Sequence, residues 1–279
     1  MIIQITRTRN ELFLLKEMLP IWKRYADGFV FLDDRSDDGT YEYLMENKEK
    51  FNILSILKND LDDGDLSIES NERQMLFDEA YKYSGNIICL DSDEYLDGIV
   101  SKDELENFLE NNKNTLFNIR WVQYVDSDKI RVDGPWKQNI KDRIGSYGTR
   151  AIFRSAQMHS EHLPNPGNIR YIPDNFIFIA HLQWLDKKTV AVKQYFWKIT
   201  DYVNKLKFNA DVVSPKAYDA SVNNFNWTIE PYSVELKVDP NIYNKQDIEN
   251  SYKFKFIKEN IKKYNIPNLN DWNMRIHDE

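Results

Sequence analysis

Across residues 1–110, short apolar runs take turns with segments of helical spacing. That alternation constrains the fold more than any other feature of the chain. Ile2–Thr6 is a β-branched run. Glu11–Tyr25 sets Leu12, Leu15, Leu19 and Trp22 near a helical repeat, with Pro20 predicted to kink or shorten it. Phe29–Leu32 is a second apolar run and ends in the polar cluster Asp33–Gly39. Tyr41–Lys50 reads as a helix, Phe51–Leu57 as a strand and Asn59–Ser67 as an acidic loop. Glu72–Tyr83 is a further helix, and Asn86–Leu90 a buried strand that runs into Asp91-Ser92-Asp93. Ser101 and Glu104 form a capping box before the helical face Leu105, Phe108 and Leu109. Strands alternating with helices predict an α/β fold, a mostly parallel sheet flanked by helices.

Beyond residue 115 the rhythm changes. Leu116–Val125, Thr149–Arg154 and Phe176–Leu182 read as strands, and His159–Gly167 as a turn-rich loop. Lys187–Lys207 and Gln246–Tyr264 read as helices around an irregular stretch, 208–245. The expected division is a domain over 1–185, with a first half (1–110) and a second half (111–185), and a mainly helical extension over 186–279.

Composition narrows the class. Hydrophobic residues at 42% and seven Trp supply a core and exclude a disordered chain. The single cysteine, Cys89, excludes an internal disulfide and a cysteine-based zinc site, and fits a reducing compartment. Apolar runs stay far below the ~20 residues that span a bilayer, and MIIQITRTRNE offers no signal-peptide core. A cytoplasmic location is expected. Residues 1–110 carry 12 Lys and Arg against 26 Asp and Glu, which disfavours nucleic acid as a partner. The same imbalance means that a phosphate-bearing ligand needs a cation there. Residues 186–263 carry 14 Lys against 10 acids, enough for a weak peripheral contact with an anionic membrane.

Ligands of an open parallel sheet sit at the carboxyl ends of its strands. Two acidic clusters fall there, Asp33-Asp34 and Asp91-Ser92-Asp93. Asp91 and Asp93 are two residues apart, so both can face one divalent cation, Mg²⁺ or Mn²⁺. The acidic loops fail as calcium sites: counted from Asp60, Asp34 or Asp91, either the glycine at position 6 or the glutamate at position 12 is missing. No GxGxxG, GxxxxGK[ST] or GxSxG motif occurs. His181 ends the run FIFIAH; it is either a core histidine or, if it faces Asp93, a third metal ligand.

ITRTRNELFLLKEML, FVFLDDRSDDGT, NERQMLFDEA and NIICLDSDEYL together resemble successive blocks of the family 2 glycosyltransferases with a GT-A fold. TRAIFRSAQMHSEHLP and IAHLQWLDKKTVAVKQY resemble later segments of that family, and residues 208–279 resemble none of it. The resemblance implies a nucleotide diphosphate sugar donor, with UDP-sugar favoured, and a glycan or glycolipid acceptor. It places Thr6 and Arg7 in the nucleoside pocket, Asp34 and Asp33 near the base, and Arg73 near the donor phosphates or base. It maps Asp-x-Asp onto Asp91 and Asp93, with Asp93 the direct ligand of Mn²⁺ or Mg²⁺ and Asp91 also contacting the donor. Glu94 is read as a structural contact, and the family's metal-proximal histidine falls on His181. An inverting transfer needs one base for the acceptor hydroxyl. Glu161 is the best match, although the family's Glu-Asp pair is absent from His159-Ser160-Glu161-His162; Asp142 and Asp133 are reserves. The aromatics Tyr195, Phe196, Trp197, Tyr202 and Phe208 read as core or interface, or as a stacking wall for a sugar or lipid acceptor. The rival readings are a sugar-phosphate nucleotidyltransferase, which would want a glycine-rich phosphate loop, and a non-catalytic module that binds nucleotide sugars or glycans.

Overall fold

A computed structural model describes residues 1–59, 69–154, 161–208 and 227–264 of the chain. The acidic loop after Asn59 falls mostly outside them, as do His159, Ser160 and His277. Contacts divide the chain into two units, Met1–Val122 with Gly134–His181, and Gln123–Asp133 with Leu182–Glu279. Gln123–Asp133 groups with the second unit, and the later break falls between His181 and Leu182.

The first unit is built on a parallel core. β1 (Ile2–Thr8) pairs in parallel with β2 (Gly28–Asp33) on one side and β4 (Asn86–Cys89) on the other, and β2 pairs in parallel with β3 (Ile53–Lys58). α1 (Leu12–Trp22), α2 (Thr40–Glu46), α3 (Lys48–Phe51) and α4 (Glu69–Tyr81) link these strands. β1, β2 and β4 are buried almost throughout, because helices cover a parallel sheet on both faces. Pro20 lies near the end of α1, which stops at Trp22 instead of reaching Tyr25. The predicted capping box closes fully: Ser101 accepts from the Glu104 amide, and the Glu104 carboxylate accepts from the Ser101 amide, opening α5 (Lys102–Glu110). This parallel core with flanking helices is a Rossmann-like arrangement, as the alternation of strands and helices predicts.

The sheet then changes direction. β8 (Ile140–Ser146) pairs antiparallel with β4, and β6 (Thr115–Asp126) antiparallel with β8. β9 (Asn168–Tyr171) adds to β6 in parallel, and β5 (Glu94–Gly98) pairs antiparallel with β10 (Ile177–His181). Thr149–Arg154, expected as a strand, forms none. Ala151 and Phe153 are buried and Ile152 is exposed, so the alternation is present. Its ladder is replaced by one side chain of α4: the Gln74 amide donates to the Ala151 carbonyl (3.3 Å) and accepts from the Phe153 N–H (2.9 Å).

In the second unit the end of β6 turns back through β7 (Lys129–Arg131), which pairs antiparallel with β11 (Ile229–Pro231). α6 (Lys187–Phe208) and α7 (Tyr252–Tyr264) are its long helices. The Arg131 guanidinium lies over the Trp184 and Trp227 rings and grips Asp133 with two bonds, of 2.8 and 2.6 Å.

Candidate active site

The carboxyl ends of β1, β2 and β4 lie along one edge of the first unit. The parallel registers place Thr8 level with Asp33, and Ile5 level with Cys89. Each strand hands over to a polar residue at that edge, and those residues form two connected networks.

The first network surrounds Asp34. Arg35 and Asn59 bond its Oδ1 at 2.9 and 3.0 Å, and Arg7 and Arg9 approach its Oδ2 at 3.4 and 3.6 Å. Arg35 has φ of 59°, a left-handed backbone uncommon for any residue but glycine, and its guanidinium folds back on the preceding carboxylate. Burial opposes ionisation of Asp34, but Arg7, Arg35 and Arg9 outweigh it and hold the carboxyl below its usual range. Arg7 also meets Glu72 at 2.7 Å. Asp33 accepts from the Ser36 amide through Oδ2, and its buried Oδ1 has no hydrogen-bond partner among the described residues. That orphaned acceptor fits a ligand N–H or O–H. Thr6 is buried within β1 with its hydroxyl bonded by Gln4, whereas Thr8 reaches Ser92 of the Asp-x-Asp segment.

The second network surrounds Asp91-Ser92-Asp93. Its centre is a residue that no motif or spacing in the chain singles out: Arg143, on β8. Its Nη2 bonds Asp91 (2.9 Å) and Glu94 (2.6 Å), and its side chain is buried. Its Nε and Nη1 have no partner among the described residues. Burial works against the charge on Asp91, yet Arg143, Arg73 and His162 bring its pKa well below the usual value. Glu94, wholly buried and close to Asp91 and Asp93, is pushed up to about 7 despite Arg143. Glu94 also accepts from the Asp91 amide (3.0 Å) and from the Trp121 indole N–H (2.8 Å). Arg73 bonds Glu69 and points Nη1 at the Cys89 sulfur, 3.6 Å away.

On the other side of this segment, Asp93 Oδ2 and His181 Nε2 stand 3.4 Å apart. Strand pairing explains why. The antiparallel β5–β10 register places His181 opposite Glu94, one residue from Asp93. Trp121 stacks on the His181 ring, and Trp136 packs against Trp121.

A divalent cation finds a partial donor set here. Asp93 and His181 offer a carboxylate oxygen and an imidazole nitrogen side by side, donors that Mn²⁺ accepts. Asp91 is instead engaged by Arg143, and no group of three or more His, Cys, Asp or Glu side chains placed for a metal occurs among the described residues. The pair therefore fits a cation that takes its other ligands from a bound diphosphate and water.

Glu161 is half-buried, and no hydrogen bond to another described residue engages its carboxylate. Its neighbour His162 is tied to Asp142, which accepts from the His162 amide (3.2 Å) and meets its ring Nδ1 (3.3 Å). Burial, with Arg143 and Arg73 nearby, pushes His162 down to about 4, so the ring is neutral at pH 7. Asp133, the other reserve, lies in the second unit and is committed to Arg131.

No protein-family model matches the chain, and no curated protein matches it in sequence. Solved structures with a similar trace include a mannosyltransferase from Pyrobaculum calidifontis in complex with GDP-Man and Mn²⁺. It is 11% identical with a TM-score of 0.42, over 95% of this chain and 74% of that one. HddC from Yersinia pseudotuberculosis is 11% identical with a TM-score of 0.29, over 64% and 76%. A Bacillus anthracis protein assigned as a glucose-1-phosphate thymidylyltransferase is 7% identical with a TM-score of 0.31, over 91% and 99%. At these values the likeness is one of chain trace alone.

Proposed function

We propose that the chain is a metal-dependent inverting glycosyltransferase. It moves a sugar from a nucleotide diphosphate donor to a hydroxyl of a glycan, lipid-linked or protein-linked acceptor. The observation that carries this reading is the division of labour at the end of β4: Asp91 is held ionised by Arg143, while Asp93 is presented beside His181.

Asp93 and His181 would hold the cation, which supplies charge neutralisation on the departing diphosphate. Asp33 and Asp34 present carboxylate oxygens where a nucleoside would lie. A carboxylate suits a base with a ring N–H, such as uracil or guanine. To reach Asp34, that base replaces one of the arginine contacts. Arg7 and Arg73 lie on the same edge and balance the phosphate charge.

Glu161 is assigned as the base that takes the acceptor proton. Asp142 is engaged by His162 on both oxygens, and Asp133 by Arg131. His162, with its pKa near 4, is too weak a base to serve near neutrality.

The test is a panel of nucleotide diphosphate sugars incubated with the protein and Mn²⁺ or Mg²⁺, with free nucleotide diphosphate measured. Metal-dependent release from one donor is the expected result. Pyrophosphate release from a nucleoside triphosphate and a sugar 1-phosphate would instead identify a nucleotidyltransferase. Donor binding without turnover toward any acceptor would identify a binding module.

A further inference from the structure

α6 and α7 carry charge of almost one sign. α6 holds six lysines against one acid, the buried Asp201, and α7 holds five against Glu259. Neither helix contains arginine, and both belong to a chain whose net charge is −8. On α7, Lys255, Lys258 and Lys262 are exposed and follow a three-then-four spacing, which puts them on one stripe. The opposite side of α7 is fixed: Phe254 and Ile257 are buried, and the Tyr252 and Phe256 rings pack on Phe196 of α6. The lysine stripe therefore faces outward. On α6, Tyr202 and Leu206 are one turn apart and exposed, at 37% and 54%, with exposed Lys205 between them.

Like charges three or four residues apart weaken a helix. Such a stripe is stabilised when negative charge meets it. Lysines on flexible stems along α7, with Lys205 beside Tyr202 and Leu206 on α6, match a surface that is anionic outside and apolar beneath. Lysine reaches headgroup phosphates while its stem lies on apolar material, and tyrosine settles at such a boundary. Nucleic acid would favour arginine forks and a basic molecule; these helices have no arginine and the chain is acidic. We propose that the α6–α7 helices dock peripherally on a bilayer rich in anionic phospholipid. This inference stands apart from the transferase reading.

Flotation of the full-length protein with phosphatidylcholine vesicles, with and without phosphatidylglycerol, tests it. Binding is expected only with the anionic lipid and is expected to weaken as salt is added. Replacing Lys255, Lys258 and Lys262 together by Gln should lower partitioning on the order of 100-fold, while replacing them by Arg should preserve it. Tyr202→Ser with Leu206→Ser should remove the binding that survives high salt. Thermal melting of each variant shows that it remains folded. Equal binding to neutral vesicles, no binding to either kind, or undiminished binding of the Gln variant would overturn the proposal. So would a lysine-dependent affinity for an oligonucleotide that exceeds the affinity for the vesicles.

Discussion

The indole of Trp121 lies against the imidazole of His181, with ring centroids 4.3 Å apart and planes 24° from parallel, while its N–H is anchored on Glu94. Trp121 thus sets the orientation of a ring whose Nε2 faces Asp93. Hydrogen-bonded partners that orient a metal-bound histidine typically contribute 10- to 100-fold to metal affinity, and the stack is expected to act on that scale through the same orientation. Trp121→Leu should weaken Mn²⁺ binding by about that factor, measured by the electron paramagnetic resonance of free Mn²⁺ in the presence of nucleoside diphosphate. Trp121→Phe keeps an aromatic face and should retain most of the affinity. Equal losses in the two variants would show that the stack does not orient His181.

Asp93→Asn should leave the fold intact and lower turnover by about 10²-fold or more, the scale of a lost metal ligand. The readout is nucleotide diphosphate release across a Mn²⁺ titration. Near-normal activity at limiting Mn²⁺ would remove Asp93 from the cation site.

Arg143→Ala leaves Glu94 buried beside Asp91 and Asp93 with its countercharge gone. Breaking a buried ion pair from one side costs about 3–5 kcal/mol, so a clear drop in the urea midpoint is expected. The double variant Arg143→Met with Glu94→Gln should recover part of that loss, because fewer uncompensated charges remain.

Glu161→Gln should retain donor binding and lose transfer by roughly 10²–10⁴-fold, the usual worth of a general base. Asp142→Asn is the comparison. If transfer falls only in the Asp142 variant, the base is Asp142 and not Glu161.

His162 couples the fold to pH. Its pKa of about 4 in the folded chain lies below the 6.5 of an unperturbed histidine, so the unfolded chain binds the proton more readily. The stability this contributes is complete above 6.5 and is lost as pH falls toward 4. Across that window it amounts to up to about 3 kcal/mol. Asp142, whose pKa is lowered, adds to the acid sensitivity in the same direction. His162→Asn should flatten the dependence of the urea midpoint on pH between 6.5 and 4.

Much of the first unit was legible in the sequence because local and global signals agree there. The run NIICL is apolar enough to be a buried strand, and its end delivers Asp91-Ser92-Asp93 to the carboxyl edge of the parallel core. The Ser101–Glu104 box closes as written. His181 lies beside Asp93 and is buried at the end of its strand, so of the two readings left open by its position the structure meets the condition that it face Asp93. β8 escaped notice because IKDRIGS reads as a charged loop. Its arginine is buried only because two carboxylates distant in sequence, Asp91 and Glu94, receive it. Thr149–Arg154 misled for the opposite reason. Its alternation is real, but alternation reports which side chains are buried and not which backbone groups pair. There the partner is a glutamine side chain.

The reversal of direction at β8 also bears on how this edge tolerates change. In a wholly parallel sheet, residues just past the strands are carried by loops, which absorb insertions. Here the antiparallel register of β4 and β8 runs through Ile88–Ile144, and Arg143 is the next residue along β8. The cation opposite Asp91 therefore rides on a strand, where a slip of one position would turn its side chain to the other face. A residue inserted in the turn before β8 can be taken up locally. A residue inserted between Arg143 and Ile144 would carry Arg143 away from Asp91 and Glu94 and dismantle their shared cation without altering a single loop.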